Sequence, residues 1–258
     1  NALRRLEYRG YDSAGIATLN NGNLGRRRSL GKLAELSDLL VRDPLLGKSG
    51  IGHTRWATHG KPSVNNAHPH MTAEVAVVHN GIIENFQELR KYLQTRGIQH
   101  TTDTDTETIA LLTQAMIEDG HEPIEAAKKT IDKLTGAFAL CFLFEGHNDL
   151  MVIDRKGSAL AIGIVQGEMF VGSDAIALSP MTNKISYLEE GDFAVLTRAN
   201  MQVWDHSGAL VEREIKTINT QNTQVQKDGY QHFMEKEIHE QPRVCLLYTS
   251  DAADDVIS

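Results

Sequence analysis

The sequence predicts an α+β domain in which a group of helices separates two blocks of strands. Short apolar-leaning runs fall within the first 80 residues, three stretches of 3.6-residue periodicity follow, and strand-like runs return beyond Gly136. A doubly wound parallel sheet would alternate strand and helix throughout. The observed order therefore points to a layered domain with two sheets.

Strands are expected first at 15–19, 50–56 and 74–79, each closed by Gly or polar residues. Residues 84–96 place Phe86, Leu89 and Leu93 on one helical face and stop at Gly97, a residue suited to a C-terminal cap. Residues 105–119 repeat the pattern with Ile109, Leu112 and Met116 before Gly120. A third helix starts at Pro123, whose missing N–H costs nothing in a first turn, and runs through Ile124, Ala127 and Ile131 towards Gly136. Strands are then expected at 137–144, 150–154, 159–164, 169–173, 192–197 and 201–204. The polar stretch 216–228, rich in Thr, Asn and Gln, reads as a linker, so the first domain is expected to span 1–215.

With 258 residues the chain is long enough for a substantial core. Charged residues make up 23% and hydrophobic residues 41%, and no apolar run approaches the roughly 18–20 residues needed to span a bilayer. A formal charge of −8 argues against a nucleic-acid surface, which needs clustered Lys and Arg. The one basic run, Arg26 to Arg28, reads as a solvated turn. Two cysteines, Cys141 and Cys245, are too few for a disulfide framework and suit a reducing cytoplasm. Cys141 sits in the apolar run 137–144 and is expected to be a buried, inert thiol.

Both ends carry expectations of their own. Ala2, Leu3 and Leu6 recur at helical spacing from the first residues, with no Met and no signal peptide, as in a piece of a longer chain. At the other end, 245–258 reads CLLYTSDAADDVIS and breaks the helical pattern before it without a cap or turn. Residues 245–254 match a translated transposon adapter of sequencing libraries, which would leave Cys245 without a role.

Three polar clusters lie next to expected strands, where a sheet fixes the backbone and side chains converge: 8–15, 53–70 and 79–85. In 53–60 (HTRWATHG), Arg55 beside hydroxyl and imidazole groups suits bidentate contact with a carboxylate or phosphate, or simple exposure. His53, His59, His68, His70 and His79 share one span, but their spacing fits neither HExxH nor a Cys/His finger, so no metal site is expected. Asn80 and Gly81 suit either an oxyanion or an Asn-Gly turn, and the turn is the commoner use. Asp105 opens a helix as an N-cap or as the acceptor of a ligand ammonium.

The joint occurrence, in order, of RRLEYRGYDSAG (4–15), HTRWATHG (53–60), NAHPH (66–70), HNGIIEN (79–85) and TDTE (104–107) resembles the glutaminase domains of the glucosamine-6-phosphate synthases, over residues 1 to about 244. These are class II glutamine amidotransferases with an N-terminal nucleophile. The resemblance implies a four-layer αββα sandwich, L-glutamine as substrate and no cofactor. It implies that Arg55 binds the α-carboxylate of glutamine and Asp105 its α-ammonium, with Thr58 and His59 touching the same substrate. Asn80 and the Gly81 amide would form the oxyanion hole, and Arg9 would order the nucleophile's surroundings. Trp56 would gate ammonia, and 55–63 would be a loop closing over glutamine.

In that family a processed N-terminal cysteine attacks the glutamine amide, with its own α-amine as base. Asn1 is not that cysteine, so these 258 residues alone are expected to bind glutamine poorly and hydrolyse none. The family continues into a phosphosugar isomerase half that uses fructose 6-phosphate, here represented only by its approach, 216–244. A cytoplasmic homodimer is implied for the full-length protein, with neither nucleic acid nor membrane as partner. The glutaminase domain of an amidophosphoribosyltransferase shares several of these themes. Trp56, Thr58-His59-Gly60 and the segment 234–242 favour the first reading. A non-catalytic glutamine-binding module is the third alternative.

Overall fold

The computed structural model describes residues 2–7, 10–218, 235, 238 and 239. The chain divides into two compact units, Asn1–Thr220 and Gln221–Ser258. Arg9 and the adapter-like tail with Cys245 lie outside the described residues. Beyond the first unit, Glu235, Ile238 and His239 are described, and all three are helical.

The first unit runs α1 (Ala2–Leu6), β1 (Ser13–Asn20), β2 (Asn23–Leu30), α2 (Leu33–Arg42), β3 (Ser49–Arg55), β4 (His70–Met71), β5 (Val75–Ile83), α3 (Phe86–Thr95), α4 (Asp105–Glu118) and α5 (Pro123–Ile131). It continues with β6 (Gly136–Phe144), β7 (Met151–Lys156), β8 (Ala161–Val165), β9 (Glu168–Gly172), α6 (Ala175–Leu178), β10 (Lys184–Tyr187), β11 (Asp192–Leu196), β12 (Met201–Trp204), β13 (Leu210–Val211) and β14 (Ile215–Thr217). The strands form a seven-stranded sheet in the order β13-β12-β11-β7-β6-β5-β4, a three-stranded sheet β2-β1-β3 and a four-stranded sheet β14-β10-β8-β9.

Strand β6 shows why the layers stack. Its continuous apolar run is buried on both faces, as a central strand covered on two sides must be. Phe138, Leu140, Phe142 and Phe144 point to one side and pack with Leu93, Ile109, Leu112 and Ala127 of α3, α4 and α5. The intervening Ala139, Cys141 and Leu143 point the other way and pack with Ala17, Ile51 and Ile162 of the two smaller sheets. Beyond these sheets, α2 lies on β1 and β2, while α6 lies on β8 and β9. The result is four layers, αββα. Small side chains on the inter-sheet side bring the sheets close, and the larger ones fill the thicker space under the helices.

Several expectations need correction. Arg26 to Arg28 do not form a solvated turn but lie in β2, half-buried, with Arg26 donating to the Pro69 carbonyl and Arg28 to the Asn65 and Ala67 carbonyls. The hairpin turn is Asn21-Gly22 instead, both at positive φ (51° and 88°), the conformation that matches the twist of two-residue hairpins. Strand β5 runs on to Ile83, past the expected end at His79. Lys216 and Thr217, read as linker, pair with β10 in β14. Helix α3 does close at Gly97, where Ile98 N–H reaches the Leu93 carbonyl and Gly97 N–H the Gln94 carbonyl.

Phe142 is fully buried beneath the helical layer. Phe142→Ala is expected to cost roughly 3–5 kcal/mol of unfolding free energy, measured by denaturant titration of the chain.

Candidate functional site

The inner face of β3 carries Ile51, His53 and Arg55 in alternation, so the packing of Ile51 between the sheets also turns Arg55 inwards at the strand's end. Its guanidinium is 4% exposed. Nη2 donates to the His59 carbonyl and to the Gly60 carbonyl (3.0 Å), curling the following loop around the side chain. Nη1 lies 3.8 Å from the Asp12 carboxylate and has no hydrogen-bond partner of its own. Asp12 also accepts the Ala57 N–H, which pins the other side of the same loop. Burial lowers the Arg55 pKa, and the charges of Asp12 and Asp105 oppose that shift.

Asn80 and Gly81 are not a turn. They continue β5, with Asn80 opposite Ala139 and Gly81 opposite Phe138 of β6. Alternation sends His79 and Ile83 towards the helices and Asn80 into the space between the layers. Gly81 has φ +139°, and a Cβ there would stand 2.0 Å from the Ala137 carbonyl oxygen, so only glycine fits.

Asp105 is the first residue of α4 rather than its N-cap; Thr104 takes that position, without a capping side-chain hydrogen bond. The buried carboxylate instead accepts the Ile83 N–H through Oδ2 (2.9 Å), tying the helix start to the end of β5. Arg90, buried in α3, fixes the approach by donating to the Thr102 and Thr104 carbonyls and to the Thr108 hydroxyl.

A cavity of about 890 Å³ is lined by Arg55, Thr58, His59, Asn80, Gly81 and Asp105, together with apolar side chains from between the sheets. Trp56, 56% exposed, also borders it and meets Tyr11 edge-on, with ring centroids 5.3 Å apart. Among the described residues five buried side-chain polar atoms lack a hydrogen-bond partner. Three of them, Arg55 Nη1, His59 Nδ1 and His79 Nε2, belong to residues lining this cavity. Unsatisfied buried groups concentrated at one cavity are what a polar ligand would complete.

Thus the structure gathers Arg55, Trp56, Thr58, His59, Asn80, Gly81 and Asp105 around one space, while Arg9 lies outside the described residues. Asp12 and Arg90, which hold the loop and the helix start, were not singled out from sequence, where each is one polar residue among many. Cys141 faces the gap between the sheets, and burial pushes its thiol up to about 12, so it is no nucleophile at neutral pH. No group of three His, Cys, Asp or Glu side chains among the described residues has the geometry to hold a metal ion.

Residues 53–180 match the glutamine amidotransferase domain family. This chain belongs to the glutamine amidotransferases. It is 56% identical over 243 residues to the glutamine–fructose-6-phosphate aminotransferase (isomerizing) of Brucella abortus, covering 94% of this chain and 40% of that protein. The enzyme of the same name from Caulobacter vibrioides is 51% identical over 244 residues, 95% of this chain and 40% of that protein. The chain thus spans about 40% of the length of the curated relatives it matches. Among solved structures, the glutamine phosphoribosylpyrophosphate amidotransferase of B. subtilis superposes with a TM-score of 0.69 at 25% identity, over 81% of this chain and 46% of that one.

Two predictions concern how this amidotransferase domain holds its site. Gly81→Ala forces a Cβ into the β6 backbone and is expected to destabilise the domain by more than about 2 kcal/mol in a denaturant titration.

The second concerns pH. Burial, with neighbouring positive charge, lowers His53 to about 4 and His68 and His70 well below 6.5; burial also lowers His79 to about 4 against the opposing pull of Asp105. The unfolded chain therefore binds more protons than the folded one between pH 4 and 6.5. Stability from these histidines is complete above about pH 6.5 and is lost on acidification, about 2 kcal/mol for His53 alone between pH 7 and 5. Asp154, which burial raises to about 7, acts in the opposite sense. Unfolding free energy is expected to fall from pH 7 to pH 5, and to fall further in Asp154→Asn, as followed by urea denaturation at each pH.

Proposed function

We propose that this chain is the glutamine-hydrolysing part of a glutamine–fructose-6-phosphate aminotransferase. It would release ammonia from L-glutamine for conversion of fructose 6-phosphate to glucosamine 6-phosphate by a phosphosugar isomerase half. The observation that carries the reading is the pairing, in one cavity, of an inward guanidinium and an inward carboxylate beside Asn80 and Gly81. An α-amino acid presents the complementary charges one carbon apart.

In this reading the substrate α-carboxylate takes the unpartnered Nη1 of Arg55, and the α-ammonium takes Asp105, whose position is held by Ile83 N–H. The side-chain amide then extends towards Asn80 and Gly81, which donate to the carbonyl oxygen as it gains negative charge. A cysteine thiolate adds to that carbon and the C–N bond breaks with protonation of the leaving nitrogen, giving ammonia and a thioester. Water then cleaves the thioester to glutamate and regenerates the thiol. Cys141 does not serve this role, so the nucleophile is assigned to the processed N-terminal cysteine of the family.

The likeness of 51–56% to fructose-6-phosphate aminotransferases, against 25% to the phosphoribosylpyrophosphate enzyme, favours the first family as parent. No helix among the described residues is long and apolar enough to cross a membrane. A cytoplasmic, homodimeric full-length enzyme belongs to the same proposal. So does the division into an amidotransferase domain that includes β14, an approach to the isomerase half from there to residue 244 and an adapter-derived tail.

Calorimetric titration with L-glutamine tests the pocket. Arg55→Lys, which loses the fork geometry, and Asp105→Asn are each expected to weaken binding at least tenfold, about 1.4 kcal/mol or more. Affinity unchanged in both would remove the assignment. The 258-residue chain is expected to release no glutamate, and a form carrying a processed N-terminal cysteine to release it.

A further inference from the structure

Beside Arg55 and Asp105, in the lining of the same cavity, lies a buried cluster to which the proposed chemistry assigns no step. His53 Nδ1 and His68 Nδ1 are 3.2 Å apart, His68 Nε2 and Thr106 Oγ1 2.7 Å, and His79 Nδ1 and Thr106 Oγ1 3.0 Å. These residues come from β3, the segment before β4, the first turn of α4 and β5. Each contact therefore joins a different pair of elements, and two of the three meet at Thr106, the residue next to Asp105.

The proton positions follow from neighbouring charges. His79 Nδ1 lies 3.8 Å from Asp105 Oδ2, so it presents an N–H rather than a lone pair to the carboxylate, and the same N–H donates to Thr106. The Thr106 hydroxyl has one proton to give, and its nearest acceptor is His68 Nε2 at 2.7 Å rather than Asp105 Oδ1 at 3.4 Å. With Nε2 accepting, His68 carries its proton on Nδ1 and donates to His53 Nδ1. The second nitrogen of His53 is then the donor, and its interaction with the His79 main chain favours a proton there. The other groups facing the cluster are Arg55, His59 and His70, and the Arg55 charge opposes a further proton.

We infer that His53, His68, Thr106 and His79 form one directed series of hydrogen bonds that positions Asp105 against β5 and β3. This inference rests on the glutamine reading above for its functional consequence. The four are positioning residues: none is assigned a contact with substrate. Reversing a single link leaves two donors or two lone pairs facing each other at a buried position, so the series has one low-energy sense. Through Thr106 it fixes the first turn of α4, and through His53 it couples that turn to the strand carrying Arg55.

Nitrogen-15 spectra of the imidazoles in the 258-residue chain at pH 7 test the series directly. His68 and His79 are expected as Nδ1–H tautomers and His53 as Nε2–H. Thr106→Val keeps the shape and removes the hydroxyl. It is expected to speed exchange of the Ile83 amide, which bonds to Asp105, at least tenfold, leaving Leu140 and Ile153 amides unchanged, and to weaken glutamine binding about tenfold. Thr106→Ser is expected to restore both. The inference is overturned by His68 or His79 appearing as Nε2–H, by an unchanged Ile83 amide in Thr106→Val, or by Ile83 accelerating together with Leu140 and Ile153. Should Thr106→Val not fold, the wild-type imidazole spectra decide. If a form carrying the processed N-terminal cysteine binds no glutamine, the glutamine reading fails, while the imidazole and exchange measurements still judge the series.

Discussion

The register between β5 and β6 is the constraint on which the site depends. With Asn80 opposite Ala139 and Gly81 opposite Phe138, successive β5 side chains are sent alternately to the helical layer and to the cavity. His79 reaches Thr106 on α4, Asn80 faces the cavity, and Ile83 offers its N–H to Asp105. A slip of one residue would exchange the two faces, burying the Asn80 amide under the helices and taking His79 away from Thr106. The phenylalanines of β6 make that slip costly, because the same alternation packs Phe138, Phe142 and Phe144 under α4 and α5. Site geometry and core packing are thus set by one hydrogen-bond ladder.

The second determinant is how buried charge is tolerated. A guanidinium at 4% exposure would be expensive alone, yet Arg55 has two carbonyls on Nη2 and a carboxylate within 3.8 Å of Nη1. Those partners belong to the loop that follows it and to Asp12, so meeting the charge also shapes the loop. The nearby histidines avoid the cost differently, since burial and surrounding positive charge keep them neutral. The cavity is thus lined by the charged groups of Arg4, Arg55 and Asp105, with Asp12 bracing Arg55 from outside the lining.

Much of the architecture was legible in the sequence, because buried strands and amphipathic helices leave periodic patterns. The run 137–144 and the helices from Glu84, Asp105 and Pro123 stand close to where periodicity placed them. Strand β2 was hidden because its alternating positions carry arginines, whose aliphatic stems are buried while their charged ends reach carbonyls of another segment. Asn80-Gly81 misled in the other direction. The dipeptide signals a turn locally, but here the positive φ of Gly81 serves close approach to the β6 backbone within a strand. The residues of the site were visible as unusual polar clusters, and only their joint order indicated that they act together.

The residues that sequence reasoning missed share one property: they act on backbone or on other side chains. Arg90 holds the two carbonyls before α4, Asp12 holds the Ala57 N–H, and Thr106 joins two histidines. None lies in a motif whose chemistry explains it, since an arginine on an amphipathic helix or a threonine in a first turn has an ordinary role available. Their importance arises from distance in sequence becoming contact in space, as when Thr106 meets His68 across 38 residues. A site assembled at the joints of several elements needs those contacts in addition to the β5–β6 ladder. The precision with which Asp105 faces Arg55 is therefore a property of the supporting hydrogen bonds as much as of the two charged residues themselves.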